Sequence, residues 1–92
     1  LLMIVMNDAA YGSEIHKLRV DGHDEDGAAF GATDLASMAR GFGLGGVSFR
    51  SLDHLDSAFD EFVASDKAAL WDFHISDQVV SPVMRRLTAG KK

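Results

Sequence analysis

Leu1 to Met6 form an unbroken apolar run, LLMIVM, that stops at the polar pair Asn7 and Asp8. Continuous apolar runs, unlike alternating ones, suit strands covered on both faces, so the run predicts a fully buried strand of a parallel sheet. From Tyr11 to about Val20 the pattern turns helical, with Ile15 and Leu18 on one face and Glu14 and Lys17 elsewhere. DGHDEDGAAFGA, residues 21–32, is polar and glycine-rich and reads as a loop. A second helix is expected after Thr33 or Asp34 as N-cap, with Leu35, Met38, Ala39 and Phe42 at helical spacing and Gly43 as its stop. GGVSFR predicts a short strand around Val47 to Arg50. Ser51 is the natural N-cap of a third helix, with Asp53 in its first turn and Leu52, Leu55, Phe59, Phe62 and Val63 as its apolar stripe. A strand from Ala68 to Ile75 (AALWDFHI) and a short helix opening at Pro82 complete the chain.

This alternation predicts an α/β fold: a three-layer arrangement in which parallel strands are joined by crossover helices. No repeat, low-complexity tract or second domain interrupts it. A parallel sheet with so few strands is a poor independent unit, so neighbouring strands are expected elsewhere. The first residue is Leu, which also reads as a cut, and residues 1–92 are therefore expected to be a fragment of a longer chain.

Composition narrows the function classes. A chain of 92 residues supports one small domain and buries only about 60–65% of its unfolded surface. With 47% hydrophobic and 25% charged residues it is of the soluble globular class, not the disordered one. The net charge is −5 and the only basic runs are Arg85-Arg86 and Lys91-Lys92, which argues against a nucleic-acid partner. The absence of cysteine excludes disulfides and thiolate chemistry and fits a cytoplasmic setting. No apolar run approaches the roughly 20 residues of a membrane span, and Leu1 to Met6 lacks the basic start and cleavage site of a signal peptide.

GFGLGG satisfies G-x-G-x-x-G through Gly41, Gly43 and Gly46, but it ends a predicted helix and leads into a strand. Dinucleotide binding needs the reverse order, strand then helix, so the motif reads as a helix stop and tight turn. In DGHDEDG, an EF-hand register built on Gly27 puts Gly22 first and Thr33 last, where acidic ligands are required, leaving a solvated acidic loop. His16, His23, His54 and His74 show no metal-binding spacing, and no G-x-S-x-G elbow occurs. His16 alone stands on a helix that could bring it towards a substrate.

The opening segment carries more chemistry. An acidic side chain at the carboxyl end of a buried parallel strand lies where open α/β sheets bind ligands. Asp8 is a hard oxygen donor suited to Mg²⁺, and the helix that follows supplies N–H groups and a positive dipole end for phosphate. The competing assignment is that Asn7 and Asp8 merely cap that helix.

VMNDAAYGSEIHKLR resembles the end of the thiamine diphosphate motif of the acetolactate synthase, pyruvate decarboxylase and benzoylformate decarboxylase superfamily. That motif opens with Gly-Asp-Gly after one strand and closes with Asn-Asn or Asn-Asp after the next, commonly followed by tyrosine and glycine. DLASMARGFG resembles the superfamily's next helix, and SLDHLDSAFDEF, WDFHIS and SPVM follow in the same order. The resemblance covers nearly all of the chain but only the C-terminal part of the diphosphate-anchoring domain, and so implies a partial thiamine diphosphate-binding fold.

Carried over by position, the resemblance makes Asp8 and the Ala10 carbonyl Mg²⁺ ligands. Asn7, Asp8, Ala10, Tyr11, Gly12 and Ser13 become cofactor-binding residues, and Glu14 matches a position that is acidic and catalytic in some branches. The Gly-Asp-Gly half and the pyrimidine-binding domain lie outside this sequence. Asp8 in place of asparagine adds a negative charge that the metal must offset. The implied function is part of a thiamine diphosphate- and Mg²⁺-dependent enzyme acting on 2-oxo acids, acetolactate synthase-like, with active sites completed by its remaining domains in a homo-oligomer. The chain alone is expected to be inactive. The alternative is a small non-enzymatic α/β binding domain in which Asn7 and Asp8 serve as a helix cap.

Overall fold

The computed structural model describes residues 1–90. Its elements follow the predicted order: β1 (Leu2–Asn7), α1 (Gly12–Asp21), α2 (Leu35–Gly41), β2 (Gly45–Phe49), α3 (Leu55–Ser65), β3 (Ala69–His74) and α4 (Pro82–Thr88), with a 3-10 turn at Asp26–Ala28. The chain divides into two compact units. One comprises Leu1–Asn7 with Asp34–Ile75, the other Asp8–Thr33 with the segment from Ser76 onward.

The first unit is the α/β layer structure. Its sheet has the order β1-β3-β2, and both pairings are parallel, running from Leu2 opposite Ala69 to Asn7 opposite His74 and from Gly45 opposite Ala69 to Phe49 opposite Phe73. Because side chains alternate along a strand, central β3 sends Trp71 to one face, against Phe62 of α3, and Asp72 to the other, against the first N–H of α2. The two helices therefore cover opposite faces, giving the three layers. Phe49, Ala58, Ala69 and Trp71 form the buried core on the α3 face, flanked by Leu55, Phe62 and Phe73. Phe49 stacks on Phe73 with centroids 4.5 Å apart and meets Trp71 at 5.2 Å, geometries that add to plain area burial.

Three expectations about burial are corrected. β1 is not buried on both faces: Ile4 is 56% and Met6 64% exposed. It takes an edge of the sheet, and with Leu2 these residues line an open apolar groove of about 850 Å³ beside Leu55 and Phe59. In α2 the buried residues are Ala36 and Ala39, while Met38 and Phe42 face out. The cause is close approach: a Cβ on Gly46 of β2 would overlap the Ala36 carbonyl, so only methyl groups fit beneath the helix. In α3, the packing stripe is Leu55, Ala58 and Phe62, whereas Leu52, Phe59 and Val63 are exposed. The helix starts at Leu55 with His54 at its N-cap, and Ser51 instead accepts the Asp53 N–H at 3.4 Å in the preceding turn.

At α2 the local start and stop signals act as the sequence predicts. Asp34 accepts the Ser37 N–H at 3.0 Å and caps α2. Gly43, at φ +84°, ends it, with the Gly43 N–H on the Arg40 carbonyl and the Leu44 N–H on the Ala39 carbonyl, both at 3.0 Å. This paired closure needs a left-handed residue, which explains the second glycine of GFGLGG.

In the second unit, Ser81 accepts the Met84 N–H at 3.1 Å and Pro82 opens α4. Ile15 of α1 is buried. The acidic loop is not solvated throughout, because Arg19 donates to both Glu25 oxygens, at 2.9 and 3.0 Å, and to the Asp77 carbonyl at 2.7 Å. The hydrogen bond to Glu25, with help from Asp77, raises the Arg19 pKa further against the opposing effect of burial.

Candidate functional site

The carboxyl end of β1 delivers Asn7 into the first unit, where it is 8% exposed. Its Nδ2 donates to Asp72 Oδ1 at 2.9 Å. Asp72 is fully buried, and its other oxygen accepts the Leu35 N–H at 3.3 Å. A carboxylate at the centre of an apolar strand is thus satisfied from both sides, as a buried polar group must be. His74, two residues along β3, places Nε2 at 2.8 Å from Ser48 Oγ and 3.5 Å from Asp72 Oδ2. A serine nucleophile relay uses the two ring nitrogens separately, one for serine and one for aspartate. Here both contacts fall on the same nitrogen, so Ser48, His74 and Asp72 form a structural polar cluster and not such a relay.

Asp8 opens the second unit with a constrained turn. Its Oδ1 accepts the Ala10 N–H at 3.3 Å, and Ala9 between them adopts φ 63°, unusual for a residue with a side chain. The loop that follows α1 pins this turn. The Phe30 and Gly31 N–H groups donate to the Ala9 carbonyl at 3.0 and 3.2 Å, and the Tyr11 N–H donates to the Ala28 carbonyl at 2.8 Å. None of these bonds uses the Ala10 carbonyl. The exposed Tyr11 ring packs edge-on against Phe30 at 5.2 Å.

Gly12 is the first residue of α1, and a Cβ there would overlap the Asp8 carboxylate. Glycine is what allows that carboxylate to lie against the first turn of the helix. The N-cap is Tyr11, which makes no side-chain capping bond. Asn7 is instead paired with Asp72 and Asp8 with Ala10, so the assignment of the pair as a helix cap does not describe what they do. Ser13 and Glu14 are exposed on the first turn, Glu14 pairing with Lys17 at 3.4 Å, and His16 is half-buried further along.

In kind, the donor set of this turn suits a hard cation bound together with a phosphate. It offers a half-buried carboxylate and a backbone carbonyl, next to the N–H groups and positive dipole end of a ten-residue helix. Among the described residues no three His, Asp or Glu side chains converge to hold a metal by themselves. Mg²⁺ does not require that, since it is commonly bound by one or two carboxylates plus phosphates and waters.

Asp72 and Ser48 are the polar residues that sequence reasoning passed over, and His74, noted there only for lacking a metal-binding spacing, joins them. The signal was present in AALWDFHI, where one aspartate interrupts a run otherwise suited to a central strand.

The family model described as the C-terminal TPP binding domain of thiamine pyrophosphate enzymes matches residues 1–73, from the start of the chain to Phe73 in β3. Searches of curated proteins and of solved structures return no match. That match covers the whole Asn7 to Ser13 segment and all three parallel strands but for the last residue of β3. The chain belongs to the C-terminal TPP-binding domain family of thiamine pyrophosphate enzymes.

Proposed function

We propose that the chain forms part of an acetolactate synthase-like enzyme acting on 2-oxo acids, in which the turn from Asp8 to Ser13 anchors the Mg²⁺-diphosphate of the cofactor. The observation that carries this reading is the Asp8 carboxylate lying against Gly12 at the start of α1, within a turn pinned by the loop at Ala28 to Gly31. Asp8 and the Ala10 carbonyl hold the metal, and Tyr11, Gly12 and Ser13 run beside the diphosphate. Asn7 fixes the strand end that leads into the turn. Glu14, exposed one residue after Ser13, is the acid available for proton transfer. Bound thiamine diphosphate supplies carbanion chemistry next to a carbonyl, and the protein's share is to bind and orient it. The remaining domains of the same enzyme, in a cytoplasmic homo-oligomer, complete the site, so this chain alone should show no turnover.

Titration of the native protein with thiamine diphosphate at saturating Mg²⁺ tests the anchor. Asp8→Ala should weaken binding by at least about 100-fold, the upper end of what outer-shell changes do to metal sites, while Asp8→Asn, which retains one oxygen ligand, should lose less. Gly12→Ala, which pushes the carboxylate aside, should fall between wild type and Asp8→Ala. Unchanged affinity in Asp8→Ala would end this reading.

A further inference from the structure

The segment FRSLDH, residues 49–54, leaves the carboxyl end of β2 and carries a cation, a hydroxyl and an imidazole that the anchoring scheme does not use. Two clefts of the first unit share it as a wall. The larger, of about 450 Å³, is lined by Val47, Ser48 and His54 together with Phe49, Arg50 and Ser51. The smaller, of about 240 Å³, shares the last three and adds the apolar side chains of Met6, Leu52, Phe73 and Ile75. Both lie at the carboxyl ends of the strands, where open parallel sheets hold their ligands. Arg40, the other arginine of this unit, donates to the Gly46 carbonyl and the Ser37 hydroxyl, both at 2.8 Å. Arg50, by contrast, is exposed and makes no hydrogen bond or ion pair among the described residues. Ser51 does not cap α3; its Oγ accepts the Asp53 N–H at 3.4 Å, which leaves the hydroxyl proton free to donate. The His54 ring is likewise without a hydrogen-bond partner among the described residues.

We propose that this double cleft binds a small organic monocarboxylate with an apolar body, its carboxylate on Arg50 and its body on the wall of Leu52, Phe73 and Ile75. A planar guanidinium offers paired N–H groups that match a carboxylate bidentately, and Ser51 and His54 each add a donor. The apolar wall selects the rest of the ligand, because covering it supplies the burial that holds a small molecule in a pocket of this size. The cleft also sets the ligand's charge. Among the described residues Arg50 is the one arginine or lysine lining either cleft, Asp53 stands in the same turn, and the whole chain carries a net charge of −5. A dianion such as phosphate would keep one charge uncompensated in that field, whereas a monocarboxylate is balanced. The inference does not rest on the proposed anchor, since no lining residue belongs to the Asp8 to Ser13 turn.

Calorimetric titration of the native protein with cyclohexanecarboxylate, without thiamine diphosphate, tests the site independently of the anchor. Saturable binding is expected, and Arg50→Ala should weaken it about 10-fold or more, the effect of losing a hydrogen-bonded charge partner. Arg50→Lys keeps the charge but not the fork and should lose less. Because Arg50 is exposed and unpartnered, neither variant should disturb folding. Leu52→Asp, which sets a like charge on the apolar wall, should weaken binding with Arg50 intact. Lys67→Ala removes an exposed cation that lines neither cleft and should change the affinity less than about 2-fold, as expected of a screened surface charge. The neutral cyclohexanecarboxamide and inorganic phosphate should both bind more weakly than the carboxylate. Absence of saturable binding overturns the proposal, as does binding that Arg50→Ala leaves unchanged, since the probe is then held elsewhere. An amide that binds as tightly as the acid, or phosphate that binds more tightly, also overturns it, the first by removing the charge from recognition and the second by removing the apolar body.

Discussion

The two faces of the sheet are built from opposite materials. The α3 face is aromatic: Phe49, Trp71 and Phe73 pack as a cluster under Ala58 and Phe62, and the same face opens into a groove where Ile4, Met6 and Phe59 remain exposed. The α2 face is made of small groups and polar atoms: the buried Ala39, Ala36 over Gly46, and Asp72 satisfied by Asn7 and Leu35. Burial of apolar area is non-directional and tolerates an uncovered flank. The α2 face depends on hydrogen-bond geometry and on backbone approach, which leaves little latitude for substitution. The difference separates tasks: the aromatic face supplies stability, and the polar face sets where the end of β1 lies.

Trp71→Ala should break the aromatic face. The ring is 4% exposed and meets Phe49, Phe62 and Phe73, so its loss should cost about 3–5 kcal/mol in denaturant unfolding. A cost below about 1 kcal/mol would mean that this cluster is not the core. The next largest effect is expected on the other face, where Gly46→Ala adds only one methyl group but sets it against the Ala36 backbone carbonyl. Backbone cannot swing aside as a side chain can, so the helix must shift, at about 1–3 kcal/mol. The same substitution at Gly41, where an added Cβ meets nothing, is the control that should not show this loss.

These contrasts also mark what could be read from the chain. Element order, the cap at Asp34, the stop at Gly43 and the helix start at Pro82 were legible, because each depends on residues within a few positions. Burial was not. That Ile4 and Met6 are exposed follows from β1 being an edge strand, and that Ala36 displaces Met38 from the core follows from the approach of Gly46, both set by distant partners. At the candidate site, the Asn7 to Ser13 segment was recognisable by its resemblance to a family motif. The left-handed Ala9 and the need for glycine at position 12 were hidden, because they depend on where the Asp8 carboxylate points. The Arg19 bridge between Glu25 and Asp77 was equally invisible, with one partner 58 positions away.

The smallest expected effect concerns how the α2 face is held at its start, at Asp34. Hydrogen bonds from the Ser37 hydroxyl at 2.6 Å and the Ser37 N–H at 3.0 Å hold its pKa below the usual 3.8, outweighing the opposing effect of desolvation, with smaller help from Arg40 and His74. A carboxylate whose pKa is lowered on folding stabilises the native state fully above its unfolded pKa, and loses that contribution as pH falls through the lower folded value. Stability should therefore decline on acidification below about pH 4, where unfolded aspartate begins to take up protons. Asp34→Ala should lower the unfolding midpoint at neutral pH and flatten, without abolishing, the acid decline. Asp77, whose pKa is lowered by Gln78 and then by Arg19, contributes in the same sense from the other unit. An acid limb that keeps its full slope in Asp34→Ala would place the pH dependence elsewhere, and would show that α2 is held over the sheet by its Ala36 and Ala39 contacts and the Asp72 bond without help from its cap.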